Sequence, residues 1–352
     1  MTAPEDVLRL AGCVYEDYVE MESNTPNTTV TARLVDGATF ILDQPDAVPP
    51  ICGEDDRGLW SPGESLEIVG PPGVGKTTLT GQLTLSRLGL RGDVLGFPVV
   101  PGLKRVLYLA CDRPPQIARS FRRMAQEEDR EVLADRLRVW RGPPVEDLAR
   151  HPETLLQMAE DADADTAVLD SFKDVALGLS DDDVGAGLNS ALQLALVGGV
   201  EVIGLHHQRK PTGGNAKPNT LSDVYGSVWI TAGAGSVVLL WGNAGDPVVE
   251  LTHLKQPADA VGPLHLLHDH DAGTTTVIDQ LDVDDLVRAQ PGITAQDVAR
   301  LLFDTATPDR NQKEKARRKL DKLVGRSLYR SDGTPGGEAA RYYQLTSDGR
   351  LR

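Results

Sequence analysis

The chain of 352 residues has few cysteines and no long hydrophobic run. Its three cysteines, Cys13, Cys52 and Cys111, are odd in number, widely spaced and without a CxxC pair. This excludes a disulfide framework and indicates a reducing compartment. The longest apolar stretch, ALQLALVGGVEVIGL, contains Glu201 and is too short to span a bilayer. The first residues, MTAPEDVLRL, lack the basic and apolar segments of a secretory signal. We therefore expect a cytoplasmic protein without membrane contact.

Basic residues are also scarce. The chain has 36 Lys and Arg against 52 Asp and Glu, a net charge of −16, which argues against general attraction to nucleic acid. The exception is residues 310–330, where nine Lys or Arg and two acidic residues give a local charge of +7 and leave −23 for the rest. An acidic body with one basic patch directs an anionic polymer to that patch.

Three regions follow one another along the sequence. Residues 1–34 are acidic and polar, which predicts a partly disordered segment. Over 35–280, apolar segments alternate with amphipathic ones, which predicts an α/β fold with a mostly parallel sheet flanked by helices. In this region RLVDGATFILD predicts a strand, and four segments from GSVVLLWG to TTTVIDQ predict antiparallel strands that finish the sheet. Residues 281–352 become helical and then strand-like, which predicts a small second domain.

A glycine-rich motif, GPPGVGKTT, stands between the strand-like SLEIV and the helical GKTTLTGQLTLSRL. It satisfies G-x-x-x-x-G-K-[ST], in which glycines let main-chain N–H groups turn towards phosphate oxygens at a helix N-terminus. Lys76 is expected to reach the β- and γ-phosphates of ATP, and Thr77 to ligate Mg²⁺. A plain Gly/Pro turn is the alternative, which the flanking strand and helix disfavour. The residues predicted to bind the nucleotide are Gly70, Pro71, Pro72, Gly73, Val74, Gly75, Lys76, Thr77 and Thr78.

A phosphate loop of this kind needs acidic partners, and two strand ends supply them. Asp170 follows the apolar run AVL and is predicted to hold the metal; a helix N-cap is the alternative. Asp112 ends RVLYLACD and is predicted to activate the attacking water. Its alternative, capping the helix that begins RPPQIA, stays open and is compatible with the first role.

Taken in order, the glycine-rich loop, YLACD, VLDS, VIGLHHQRK, DVYGS and LTHLKQPADAVGPLHLL resemble the RecA-type ATPase core. Within that core they are most similar to the hexameric replicative helicases of the plasmid RepA and DnaB type. The resemblance covers roughly residues 35–280, a RecA-like P-loop ATPase domain. It implies ATP and Mg²⁺ as cofactors, a homo-oligomer such as a hexamer with ATP between subunits, and single-stranded DNA in a central channel.

The resemblance also implies roles for single residues. The catalytic set it suggests is Lys76, Asp112, His207 and Lys255. Asp112 stands where these enzymes usually have Glu, and Asp170 matches the Asp associated with Mg²⁺. His207 matches a γ-phosphate sensor. Lys255 fills the first position of a K-x-R pattern that reaches a neighbour's γ-phosphate, whereas the arginine position holds Pro257.

Two basic segments are predicted to contact DNA. The polar loop RKPTGGNAKPN carries Arg209, Lys210 and Lys217, and in the resembled family such loops face the channel. An ordinary surface loop is the alternative.

The second segment lies in residues 281–352, whose order of helix, basic helix and β-wing is typical of a winged helix-turn-helix domain. Its predicted contacts with duplex DNA are Arg317, Arg318, Lys319 and Lys322. Leu320, Leu323 and Val324 are expected to dock this helix, and GTPGG to form the turn of the wing. A solvated helix face or a protein-docking module are the alternatives.

LHLLHDHD contains three histidines, His265, His268 and His270, without a second ligand motif. Since His265 and His268 would point to opposite faces of a strand, we interpret them as structural.

These features predict an ATP-hydrolysing, helicase-like oligomer that acts on DNA in replication of a phage- or plasmid-type element. Two alternatives stay open: an ATPase of the same fold that does not unwind DNA, such as a helicase loader or a regulator, and a DNA-binding adaptor that holds ATP with little turnover.

Overall fold

The computed structural model describes residues 34–43, 49–55, 57–209, 217–257, 259, 261–278, 283–302, 305–332 and 339–345. Nearly all of the segment predicted to be disordered, together with Lys210 and the GTPGG turn, lies outside these residues.

A nine-stranded sheet crosses the middle of the fold, in the order β13-β12-β11-β10-β3-β9-β8-β6-β7. Its strands are β3 Leu66–Val69, β6 Arg105–Ala110, β7 Leu137–Arg141, β8 Ala164–Asp170, β9 Glu201–His206, β10 Ser236–Trp241, β11 Val248–Lys255, β12 Leu264–Asp269 and β13 Thr274–Val277. The six strands from β10 to β7 are parallel, and β11 to β13 continue the sheet in antiparallel fashion. The predicted α/β fold with a mostly parallel sheet is confirmed.

Helices pack on both faces of this sheet, except the first of them, whose residues are all exposed. They are α1 Gly37–Leu42, α2 Lys76–Arg87, α3 Pro114–Met124, α4 Arg130–Arg136, α5 Thr154–Asp161, α6 Phe172–Val175, α7 Asp182–Val197 and α8 Val228–Gly233. Two small hairpins lie beside it, β1 Cys52–Glu54 with β2 Arg57–Trp60, and β4 Asp93–Val94 with β5 Phe97–Pro98.

The two faces bury separate hydrophobic clusters. Along β6, Val106, Tyr108 and Ala110 join the cluster on the side of α2 and α3, whereas Leu107 and Leu109 join the cluster on the side of α5 to α7. Side chains of a strand alternate between faces, so a continuous apolar strand is expected where both faces are covered.

One predicted element is wrong, and another is right towards only one of its neighbours, since β10 is antiparallel to β11 as predicted but not to β3. RLVDGATFILD forms no strand in its described part: α1 runs over Gly37–Leu42, because the Asp36 carboxylate accepts hydrogen bonds from the main-chain N–H of Ala38 (2.9 Å) and Thr39 (3.0 Å). GSVVLLWG forms a strand, but β10 is parallel to β3. The chain reaches it through the loop and helix that follow β9, a crossover of the kind that parallel neighbours need.

Among the acidic residues that the structure describes, one is completely buried inside the sheet. Glu67 on β3 is 0% exposed, and neither carboxylate oxygen has a hydrogen-bond partner among the described residues. Burial raises the pKa of Glu67 to about 8, and the positive charge of Lys255 opposes that rise. Glu67 pairs in register with Val237, which pairs with Lys255. The three side chains therefore form a row on one face of the sheet.

The C-terminal residues that the structure describes build a smaller unit of three helices and a three-stranded antiparallel sheet. Its elements are α9 Val283–Ala289, β14 Ile293–Thr294, α10 Ala295–Leu302, α11 Arg310–Asp321, β15 Leu328–Ser331 and β16 Arg341–Gln344, and the sheet order is β14-β16-β15. Leu320 is buried in its core and Leu323 packs against it, but Val324 is 37% exposed. The expected docking of Val324 is wrong because α11 ends before it. Val248 and Leu267 of the large sheet pack into the same core.

No helix in the described part of the chain has the length and apolar character needed to cross a membrane.

Candidate functional site

The glycine-rich loop joins β3, the middle strand of the nine-stranded sheet, to α2. The Lys76 ammonium folds back over the loop and donates hydrogen bonds to the carbonyl oxygens of Gly70 (2.8 Å) and Pro71 (2.8 Å). Burial lowers the pKa of Lys76 to about 8; Asp170 opposes that shift and Lys173 adds to it. The loop thus holds one cation at its centre.

Gly75, the residue that starts α2, is required by both conformation and space. Its φ is +94°, in the left-handed region, and a Cβ there would lie 2.4 Å from the His268 ring. No side chain caps the start of this helix. Its first N–H groups therefore keep the capacity to bind an anion.

Asp170 faces the loop from the end of β8. Its Oδ2 accepts hydrogen bonds from the Thr77 hydroxyl (3.1 Å) and from the Tyr108 hydroxyl (2.9 Å). Burial raises the pKa of Asp170, while the bonds from Tyr108 and Thr77 oppose that rise. Asp170 is not an N-cap, because Ser171 and Asp174 form the capping box of α6.

The Thr77 and Asp170 oxygens fit a magnesium ion. Hard cations take hydroxyl and carboxylate ligands, and neighbouring ligands of an octahedral Mg²⁺ lie about 2.9 Å apart when each bond is 2.0–2.1 Å. The Oγ1–Oδ2 distance of 3.1 Å is close to this spacing.

Asp112 lies at the end of β6, where its carboxylate contacts Arg113 (3.3 Å) and Lys173 (3.5 Å). Partial burial works to raise the pKa of Asp112, but the hydrogen bonds and charges of Arg113 and Lys173 hold it below its usual value. The predicted alternative role is wrong: α3 has Arg113 at its N-cap position, and no side chain caps it.

The two histidines after β9 have different surroundings. His206 is fully buried, and its Nε2 lies 2.6 Å from the carbonyl oxygen of Tyr225. His207 is half-buried. Burial lowers the pKa of His207 to about 4, and the positive charges of Lys76 and Lys173 contribute to the shift. His207 is therefore neutral near pH 7 and close to the central cation of the loop.

Lys255 is the last residue of β11. It is level with the start of β3, whereas the glycine-rich loop follows the end of β3. Its ammonium donates hydrogen bonds to the carbonyl oxygens of Ala232 (2.8 Å) and Thr231 (3.3 Å) at the end of α8. Since Lys255 is level with Glu67 and the loop begins after Val69, it does not face the loop of its own chain. The action of Lys255 on a neighbour's nucleotide stays a prediction.

The predicted channel loop has contacts within the chain. The Arg209 guanidinium donates a hydrogen bond to the Gly226 carbonyl oxygen (2.9 Å), and Lys217 forms an ion pair with Glu250. These contacts fix both ends of the loop, and contact with DNA stays a prediction.

The basic helix α11 has two exposed faces of different character. Arg317 is paired with Glu314 (2.8 Å) and Asp321 (3.0 Å), and Arg318 also contacts Glu314 (3.1 Å). Lys319 and Lys322 are exposed and form no ion pair with the residues that the structure describes. A cavity of about 310 Å³ is lined by Leu302, Lys315, Arg318, Lys319 and Lys322.

Several contacts of the site were not predicted from the sequence. Tyr108, Lys173 and His268 reach the predicted residues from separate elements, and no local motif marks them. The three-histidine segment holds no metal cluster: within the described ranges, no group of three or more His, Cys, Asp or Glu could bind one. His268 instead contacts the main chain at Val74 (3.1 Å).

Comparison with known proteins gives one family. Residues 39–213 match the model of a family described as an AAA domain. The matched range contains the glycine-rich loop, Asp112, Asp170 and His207, and it ends before β10. Among curated proteins, none matches the chain.

Proposed function

Because residues 39–213 carry an AAA-type P-loop ATPase domain, we propose that the protein binds ATP with Mg²⁺, hydrolyses it and uses it to act on DNA. The observation that carries this proposal is the convergence of Lys76, Thr77 and Asp170 on one loop at the end of β3.

Each residue around the glycine-rich loop has its own proposed role in binding ATP. Lys76 exchanges its two carbonyl contacts for the β- and γ-phosphates, and the N–H groups of the loop bind the remaining phosphate oxygens. Thr77 and Asp170 would hold Mg²⁺, which would neutralise part of the negative charge of the phosphates. Tyr108 orients the Asp170 carboxylate. Neutral His207, which directly follows β9, is the proposed sensor of the γ-phosphate.

Asp112 is the proposed residue that orients the attacking water. Its low pKa keeps it ionised, as a base requires. Its contacts with Arg113 and Lys173 compete with that role. This pairing favours a second candidate function: a non-unwinding ATPase or DNA-binding adaptor that holds ATP and turns it over slowly.

DNA binding is proposed on two observations. The C-terminal unit has the element order of a winged helix, with α10 and α11 followed by the β15–β16 pair. Its helix α11 also presents Lys319 and Lys322 to solvent. By resemblance to replicative helicases of the RepA and DnaB type, we further propose a hexameric homo-oligomer. In it Lys255 acts on the neighbour's nucleotide, and Arg209, Lys210 and Lys217 line a channel for single-stranded DNA. A role in replication of a phage- or plasmid-type element follows from the same resemblance.

The test measures the ATPase rate with and without single-stranded DNA, together with the size of the particle in a non-hydrolysable ATP analogue. A motor gives a DNA-stimulated rate and a ring-sized particle. An unstimulated, slow rate favours the second candidate. Lys76→Ala should abolish ATP binding, while Lys104→Ala, which alters an exposed ion pair with Asp163, should not. Unchanged ATP affinity in Lys76→Ala would refute the site.

A further inference from the structure

The hairpin of β12 and β13 touches the nucleotide loop from the antiparallel part of the sheet. The His268 Nε2 lies 3.1 Å from the carbonyl oxygen of Val74, in the middle of the loop. Nearly two turns into α2, the Gln82 side chain and the main chain of Thr275 form a pair of hydrogen bonds, of 2.8 and 3.2 Å. Both contacts join segments of the chain more than 190 positions apart, |i−j| being 194 and 193.

These contacts fix the state of the His268 ring. A carbonyl oxygen only accepts hydrogen bonds, so Nε2 must carry a proton and donate it to Val74. The other nitrogen, Nδ1, lies 2.7 Å from the Thr275 hydroxyl oxygen and accepts a hydrogen bond from that hydroxyl. Burial lowers the pKa of His268, which agrees with a neutral ring of this single tautomer.

The direction of the Val74 carbonyl determines the direction of the next N–H. A trans peptide is planar, and its C=O and N–H groups point in opposite directions. Because His268 holds the Val74 carbonyl on the sheet side, the Gly75 N–H is aimed away from His268. Gly75 permits this arrangement, since a Cβ there would lie 2.4 Å from the ring.

We propose that His268 is a positioning residue for phosphate binding: by anchoring the Val74 carbonyl, it aims the Gly75 N–H at the phosphates. This inference rests on the proposed function of the loop as an ATP site. It gives β12 and β13, which lie outside the matched AAA range, a direct part in nucleotide affinity.

The test compares two substitutions that keep most of the side-chain volume. His268→Leu removes the donor, whereas His268→Gln keeps an N–H where Nε2 stands. Titration calorimetry with MgATP should give about five- to tenfold weaker binding for His268→Leu, the effect of one lost hydrogen bond. His268→Gln should return to within about twofold of the wild type. His265→Leu, on the other face of the same strand, is the matched control and should leave the affinity unchanged.

Folding is measured on the same samples by urea unfolding without nucleotide. If His268 had only a structural role, the MgATP affinity of the variants would fall together with their free energy of unfolding. If His268 is a positioning residue, His268→Leu and His268→Gln differ in MgATP affinity although their free energies of unfolding are similar. Equal MgATP affinity of His268→Leu and wild type would overturn the inference while leaving the ATP site intact. A wild-type protein that does not bind MgATP would overturn both.

A second substitution covers the case in which His268→Leu does not fold. Thr275→Val removes only the hydroxyl that holds the ring and keeps the shape of the side chain. We expect about threefold weaker MgATP binding, since the ring keeps its own bond but loses its orientation. Unchanged affinity of Thr275→Val would then decide against His268 as a positioning residue.

Discussion

Among single residues, Tyr108 has the clearest effect on Asp170. It lies on β6, is buried, and packs edge-on against Phe121 at a ring distance of 5.2 Å while its hydroxyl donates to Asp170. The bond favours the ionised carboxylate, against the effect of burial. The Tyr108 hydroxyl thus orients the carboxylate that is proposed to bind the metal and favours its ionised form.

Tyr108→Phe should therefore weaken magnesium binding more than it weakens the fold. The ring packing stays, but burial then raises the Asp170 pKa with less opposition, and one hydrogen bond of about 1 kcal/mol is lost. We expect the Mg²⁺ concentration for half-maximal ATP binding to rise about three- to tenfold. Tyr329→Phe, at an exposed position, is the control. An unchanged magnesium requirement would contradict this role.

Glu67 makes a prediction about pH. In the unfolded chain its carboxyl ionises near the ordinary value of 4.5, and in the folded protein near 8. Between these values the folded state binds more protons, so this group lowers the free energy of unfolding as pH rises. Glu67→Gln removes the effect. Its stability relative to wild type should grow by up to about 1.4 kcal/mol for each pH unit in that window.

Urea unfolding of both proteins at several pH values between 5 and 8 measures this difference. Glu54→Gln, at an exposed position, is the control and should follow the wild type. If the free energy of unfolding depends on pH in the same way for Glu67→Gln and wild type, the pKa of Glu67 is not raised in the folded protein.

Among the elements, the basic helix α11 has one face whose positive charges are paired with acidic residues and another whose lysines are exposed. On one face, Arg317 joins Glu314 and Asp321, and Asp321 also contacts Arg330 of β15. That face is neutralised and ties the helix to the sheet. The other face carries Lys319 and Lys322 towards solvent. The sequence run looks uniformly basic, but only part of it is available to a polyanion.

Replacing both Lys319 and Lys322 by Ala should reduce the slope of log affinity against log salt for duplex DNA by about two, one per lost phosphate contact. Arg317→Ala should leave the slope unchanged, because its charge is already compensated within the helix. Fluorescence anisotropy at several salt concentrations measures both. Equal slopes for the double variant and wild type would remove this face from the DNA interface.

The elements also show where sequence patterns are sufficient. The strand–loop–helix over β3 and α2 is predictable because its glycines and its apolar run are local. The direction of β10 is not, since its run of five apolar residues, VVLLW, is compatible with a parallel or an antiparallel strand. In α1, hydrophobic alternation predicts a strand, but no face of it is covered, and the local cap at Asp36 decides.

On the scale of the whole molecule, the match to the AAA family ends before the large sheet is complete. The match stops at residue 213, whereas β3 lies between β9 and β10 and needs both neighbours. Without β10, β3 becomes an edge strand, and the packing of Val69 with Val237 and Leu239 is lost. We therefore expect that the matched range does not fold alone.

A fragment of residues 1–213 should aggregate and fail to bind ATP, because its central strand is exposed. A fragment of residues 1–280 keeps the nine strands, and we expect it to bind ATP with an affinity close to that of the full chain. Removing 281–352 exposes Val248 and Leu267, so a modest loss of solubility is expected. Expression, sizing and ATP calorimetry test both; a soluble, ATP-binding 1–213 fragment would contradict the argument.

The strand order of the whole sheet explains why some site residues could be predicted from the sequence and others could not. Lys76 and Thr77 belong to one motif, and Asp170 stands at a strand end where parallel strands direct their tips to one edge. Tyr108 lies 62 positions from Asp170, and His268 lies 194 from Val74. Their contacts arise from strand order, which a single sequence does not state.

The bond between His268 and Val74 also has a consequence for synthesis on the ribosome. The nucleotide loop leaves the exit tunnel long before the histidine that orients it, and before the strand that closes the sheet beside it. A nascent chain at that stage has the residues for gripping a triphosphate but not their arrangement. We therefore expect ATP to bind the first half of this protein more weakly during synthesis, and the site to reach its full affinity only when the later hairpin arrives.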